Sequence, residues 1–275
     1  MIGAIAGDII GSRYEACPIK TKEFPLFNPH CCFTDDSVLT VAVAQAIMTD
    51  GDYGRWLWEL GRRHPHAGYG AAFSRWLSSA DRQPYNSWGN GAAMRVSPVG
   101  WAFDTIADVL HEAARTAAVT HNHPEGIKGA QAAALAVFLA RTTHDKKLIK
   151  QEIADRFRYD LDRTVADIRP VYGFDISCQG TVPEAVISFL EGNSYEDTLR
   201  NAISLGGDSD TLACIAGSIA EAFHGPPAPE IRTMVRRLLA ADLLAIAASF
   251  CSKYGCGIEK METTPPRRRK TPSCH

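Results

Sequence analysis

Apolar residues in this chain fall into blocks of helical length, and no segment sustains the every-second-residue alternation of a half-buried strand. That pattern constrains the fold more than any other feature. Residues 38–48, 106–119, 127–141, 148–157, 182–190, 195–204, 211–223 and 231–250 read as helices. In the first block Val38, Leu39, Val41, Ala42 and Ala46 keep the three- and four-residue spacing of one helix face. Alanine and glycine recur on several sides of these blocks, which suits helices packed closely in more than one layer. Strands do not alternate with helices, so a parallel α/β sheet is disfavoured. The expectation is an all-α fold, a compact single-domain multi-helix bundle over residues 1–260.

Pro and Gly mark loops at residues 18–29, 61–70, 84–98, 120–126 and 225–229, none of them a convincing interdomain linker. Residues 261–275, which include Arg267, Arg268, Arg269 and Lys270, are expected to form a disordered basic tail. A basic patch touching a nucleic acid or a partner is the sharper alternative for that run. The formal net charge of −2 gives no electrostatic reason for general binding to nucleic acid or membrane. The longest apolar stretches, residues 132–140 and 243–251, fall short of the roughly 20 residues that a membrane span needs. Eight cysteines include no Cys-x-x-Cys pair, so they read as mostly reduced and partly buried. A soluble, cytoplasmic monomer with no obligate protein partner is the resulting expectation.

Two short motifs carry the chemistry. Phe33-Thr34-Asp35-Asp36-Ser37 and Gly206-Gly207-Asp208-Ser209-Asp210-Thr211 each stand immediately before an apolar helix. The simplest reading of either is a helix cap, because Thr, Asp and Ser accept the free N–H groups of a first turn. A cap leaves carboxylates over, and adjacent carboxylates repel unless a cation lies between them. Together the motifs offer four carboxylates and two hydroxyls, an oxygen-only set that suits Mg²⁺, Mn²⁺ or Ca²⁺ better than Zn²⁺. Trp88-Gly89-Asn90-Gly91-Ala92-Ala93-Met94-Arg95 reads equally as a tight turn or as a phosphate cradle. The Thr120-His121-Asn122-His123-Pro124 loop puts His121 where it could hydrogen-bond a ligand. His64 and His66 read as surface residues. Tyr85, Trp88 and Trp101 could stack on a base, although core packing explains each as well.

These motifs, in this order and over most of the chain, resemble those of the ADP-ribosylglycohydrolase family. Gly7-Asp8-Ile9-Ile10-Gly11 with Glu15 resembles its N-terminal segment. The two aspartate motifs, the Gly89–Arg95 loop and the Thr120–Pro124 loop resemble its other signatures. The resemblance implies a helical hydrolase with two Mg²⁺ or Mn²⁺ ions held by Thr34, Asp35, Asp36, Asp208, Asp210 and Thr211. It further implies that Gly89, Asn90, Gly91, Ala92, Ala93 and Met94 hold a diphosphate through backbone amides, with His121 lining the cleft. The substrate would be an ADP-ribosylated protein, nucleic acid or small molecule, cleaved at its glycosidic bond. Asp35, Asp36 or Glu15 would take the proton of the attacking water. Two rival readings remain beside it: a non-catalytic binding or structural protein with the same fold, and a metal-dependent nucleotide phosphohydrolase.

Overall fold

Gly3, Gly7 and Gly11 lie at four-residue intervals on one face of α1 (Ile2–Glu15), and they decide how the molecule is assembled. In the computed structural model, which describes residues 1–256, that face lies directly on the backbone of α13 (Ser209–His224). A Cβ on Gly7 would sit 2.1 Å from the Ala213 carbonyl oxygen, and one on Gly11 would sit 2.4 Å from that of Ser209. Only glycine allows so close an approach. The glycines lower helix propensity, which is why residues 2–15 did not read as a helix from sequence. α13 is covered on every side, with Ser209 through Ala222 all buried, so it is the central rod of the core.

The other long helices wrap this pair. Against α13 lie α2 (Asp35–Met48), α8 (Pro124–Thr143), α11 (Cys178–Glu191) and α12 (Tyr195–Ser204), and α7 (Ile106–Ala118) packs outside α8. α9 (Lys146–Phe157) follows α8. Thr105, Asp145, Ser177 and Ser194 accept first-turn N–H groups with their side chains, which sets the starts of α7, α9, α11 and α12. Among the described residues there is no strand, only one isolated backbone bridge between Gly89 and Ser177. The all-α expectation holds, in a single helical domain. The basic run at residues 261–275 lies outside the described residues.

Two helices with clear tertiary roles escaped the sequence pattern. α3 (Tyr53–Arg63) buries Tyr53, Leu57 and Leu60 at three- and four-residue spacing, and its last residues fall in the stretch from Gly61 that reads as a loop. α4 (Ala71–Ser78) is two turns long and sits at the cleft. Shorter helical pieces are α5 (Gly91–Met94), α6 (Ser97–Ala102) and α10 (Val165–Ile168); α5 lies inside the segment expected to be loop at residues 84–98, and α6 begins at its end. The single helix expected at residues 231–250 is instead two, α14 (Pro229–Leu238) and α15 (Ala241–Tyr254). Leu239 and Ala240 between them are extended, with ψ of 141° and 144°. The break lets α14 pack on α1 while α15 turns away to pack on α2. No described helix is long and apolar enough to cross a membrane.

Candidate metal centre and cleft

The start of α2, the start of α13 and the end of α1 meet at the base of a cleft of about 530 Å³. Glu15, Thr34, Asp35, Asp36, Asp208, Asp210 and Thr211 all line it. Carboxylate oxygens of Glu15, Asp208 and Asp210 lie within 4.8 Å of one another. Thr211 Oγ1 donates to Asp36 Oδ1 at 3.3 Å, so the two distant motifs touch. The buried Asp36 Oδ2 has no hydrogen-bond partner among the described residues.

Capping explains only part of this arrangement. Thr34 is a true N-cap, its hydroxyl accepting from Asp36 N at 3.3 Å. Asp208 stands at the N-cap position of α13 but makes no capping bond. Its Oδ2 instead accepts from Asn90 Nδ2 at 2.7 Å, which ties it to the glycine loop. One organising residue was missed from sequence as a site residue in its own right, namely Asp8. Fully buried on α1, it accepts from Thr34 N at 3.0 Å, Thr34 Oγ1 at 2.7 Å and Ser37 N at 3.0 Å, and also from Ser37 Oγ. Asp8 thereby pins the first aspartate motif to the helix that carries Glu15. A lone carboxylate in the apolar run of residues 2–10 was the signal that could have found it.

Burial followed by mutual repulsion makes these carboxylates reluctant to ionise. Burial raises Asp8 to about 6, and burial with the charge of Asp8 raises Asp35 to about 7. Asp36 and Asp210 are pushed well above the ordinary range by burial, then by Asp8 and Asp36 respectively. Burial, Asp208 and Asp8 also raise the exposed Glu15. Between pH 4 and 7 the folded metal-free protein therefore holds protons that the unfolded chain has released. Its stability is expected to fall as pH rises through that window. Millimolar Mg²⁺ or Mn²⁺ should remove the fall near pH 7 and have little effect near pH 5, where protons compete for the same oxygens. Thermal melts at both pH values, with and without the ion, test this. A metal-free melting temperature that rises from pH 5 to pH 7 would contradict it.

The donor set fits hard divalent cations. It is all oxygen, drawn from carboxylates and threonine hydroxyls, and it contains an orphaned buried carboxylate oxygen. The glycine loop forms the adjoining wall. Most of its amides are spoken for: Gly89 N donates to Ser87 Oγ, Asn90 N to Ile176 O, and Ala93 N and Met94 N to Asn90 O. Ala92 N makes a longer contact of 3.5 Å with Gly89 O. The N–H of Gly91, the first residue of α5, has no partner among the described residues. Ala92 and Ala93 are buried and do not line the cleft, whereas Gly89, Asn90, Gly91, Met94 and His121 do.

Burial holds His121 neutral, its pKa well below the usual imidazole value, and nearby Arg95 adds to the effect. Tyr85 lines the same wall with its ring 5.9 Å from that of His121. Trp88 is 46% exposed and Trp101 is buried in α6, and neither lines the cleft. The exposed Arg75, with Phe174 and Ile176, completes the rim. Their positions depend on loop and helix packing that leaves no mark in sequence. His64 is partly buried and bonds Asp242 rather than standing free at the surface.

The family model described as ADP-ribosylglycohydrolase matches residues 1–256. The ADP-ribosylhydrolase ARH3 of Xenopus tropicalis is 28% identical, over 82% of this chain and 86% of its own length. ARH3 of Homo sapiens is 26% identical over 82% and 84%. The ADP-ribosylarginine hydrolase Tri1 of Pseudomonas putida (strain GB-1) is 22% identical over 82% and 69%. A solved structure, titled an ADP-ribosylglycohydrolase-related protein complex, superposes with a TM-score of 0.71 at 24% identity, covering 94% of this chain and 96% of the other.

Proposed function

Since the chain belongs to the ADP-ribosylglycohydrolase family, we propose that it hydrolyses the N- or O-glycosidic bond between ADP-ribose and an acceptor, using two Mg²⁺ or Mn²⁺ ions. The observation that carries this reading is the convergence of carboxylates from three separate segments around the unpartnered Asp36 Oδ2, at the base of a cleft of ligand size. Thr34, Asp35, Asp36, Asp208, Asp210 and Thr211 are the proposed ligands. Cations there would neutralise the cluster and act as Lewis acids toward substrate oxygens and water.

The chain's own groups divide the remaining work. Asn90 orients Asp208 through its side chain, and Asp8 orients the Thr34–Ser37 turn. Gly91 N–H and His121 face one wall and would receive a diphosphate there, with the exposed Arg75 supplying positive charge at the rim. Phe174 and Ile176 offer apolar surface for a flat ring. Of the three carboxylates that could accept a proton from water, Asp35, Asp36 and Glu15, Glu15 is the exposed one. Its raised affinity for protons suits a general base, and its position beside Asp208 and Asp210 suits stabilisation of positive charge on the sugar.

The test is a panel of ADP-ribosylated arginine, serine and nucleic-acid substrates, assayed with and without EDTA. Release of free ADP-ribose that EDTA abolishes and excess Mg²⁺ or Mn²⁺ restores is the expected result. AMP plus ribose phosphate as products would replace this reading with phosphohydrolysis. Turnover indifferent to chelation would remove the metals from it.

A further inference from the structure

We propose that Arg95, acting through the hydroxyl of Thr120, fixes His121 as the tautomer that carries its proton on Nε2. Arg95 is among the largest fully buried side chains of the molecule. Its Nη2 donates to Thr116 O at 2.9 Å and to Thr120 Oγ1 at 2.9 Å, while its Nε and Nη1 have no partner among the described residues. A buried guanidinium with two idle donor groups costs stability, so packing alone does not account for it. Thr120 Oγ1 in turn lies 2.7 Å from His121 Nδ1.

Proton counting sets the direction of that last bond. Arginine has no acceptor, so Thr120 Oγ1 must accept from it. A threonine oxygen accepts two hydrogen bonds and donates one. Arg95 already donates in, and among the described residues His121 Nδ1 is the one other partner of this hydroxyl, so the threonine proton goes to Nδ1 rather than being left without an acceptor. The positive charge of Arg95 strengthens that donation by polarising the hydroxyl. Thr116 does not compete, because its own hydroxyl donates to Ala113 O at 2.8 Å.

The neutral ring then carries its proton on Nε2. That atom faces the glycine loop, where a Cβ on Gly91 would lie 3.1 Å away and one on Gly89 would lie 3.5 Å away. Among the described residues no protein acceptor meets it. Nε2–H and Gly91 N–H therefore present donors to the same wall, and the ligand matched to them is an anionic oxygen such as that of a phosphate. The opposite tautomer would turn a lone pair toward that oxygen. Arg95 is a positioning residue in this arrangement. The ligand class rests on the function proposed above; the tautomer does not.

The experiment is a two-bond ¹H–¹⁵N correlation spectrum of the histidine rings in ¹⁵N-labelled, ligand-free protein, with His121→Gln used to assign the signal. The expected wild-type signature is an unprotonated Nδ1 and a protonated Nε2. Thr120→Val should move the signal toward the other tautomer or a mixture, and Thr120→Ser should restore it. Thr120→Ala serves if the valine variant does not fold. Affinity for free ADP-ribose should fall about tenfold with the lost donor in the valine variant and recover in the serine variant. A wild-type Nδ1 that carries the proton overturns the proposal, as does a folded Thr120→Val with an unchanged signature. The expected tautomers without any ADP-ribose binding would leave the positioning role standing and overturn the functional reading instead.

Discussion

Asp36→Asn is expected to reduce turnover by about 10²–10³-fold, the usual loss when one charge-stabilising group leaves a water-excluded site, and to make the metal-free protein more stable. The two effects share a cause. Asp36 is buried at 2% exposure, with Oδ2 unpartnered and the charges of Asp8, Asp35 and Asp208 around it. Asparagine keeps the shape and keeps an acceptor for Thr211 Oγ1, but its Nδ2 donates where a carboxylate repelled. Each kcal/mol gained should raise the melting temperature by about 2–4 °C in a chain of this size. The stabilisation that Mg²⁺ or Mn²⁺ gives the wild type should be largely lost in the variant. Melting curves with and without ion, beside the ADP-ribose release assay, read all three quantities. A variant less stable than wild type in EDTA would show that Asp36 is a satisfied structural residue rather than one held in repulsion for a cation. Such residues trade stability for function.

Gly7→Ala should produce the largest loss of stability from a single methyl group in this protein. The added carbon would meet the Ala213 carbonyl carbon at 2.5 Å as well as its oxygen at 2.1 Å, and both are backbone atoms of a buried helix. No side chain can swing aside, so α1 and α13 must separate along their contact. Overpacking of this kind costs typically 1–3 kcal/mol and at times more. The upper end applies here, about 3 kcal/mol, or roughly 6–12 °C in melting temperature. Because the same contact carries Asp8 and Glu15 to Asp208 and Asp210, ion-induced stabilisation should fall with it. Gly70→Ala is the control, since nothing lies within 4 Å of a Cβ there. If Gly7→Ala melts within a degree or two of wild type, the close approach of the two helices is wrong.

The aspartate motifs show how far each level of information reaches. Thr34 is a helix cap, as its position before an apolar run suggested, and Asp208 occupies a cap position without capping. The sequence could say that carboxylates were left over, but not what held them. Asn90 reads as a loop residue beside a ligand, yet its side chain is spent on Asp208 and Thr181. Of the loop amides expected to cradle a phosphate, Gly91 alone has no protein partner among the described residues, because the turn consumes the others. Asp8 is the reverse case, a residue whose burial and four hydrogen bonds make it central although its motif offered only one charge among apolar neighbours.

Sequence by itself determined the helical class, the long elements α2, α7 to α9 and α11 to α13, and the oxygen-only chemistry of the site. Each of these is a local property, written in a 3.6-residue period or in which side chains stand next to each other. The tertiary structure decided that residues 15, 36 and 210 share one cleft, that the helix expected at residues 231–250 breaks in two, and that Arg75, Phe174 and Ile176 reach the rim. The physical reason is distance. Convergence depends on how closely two helix backbones can approach, and a stretch of chain carries the glycines that permit the approach without stating what lies on the other side.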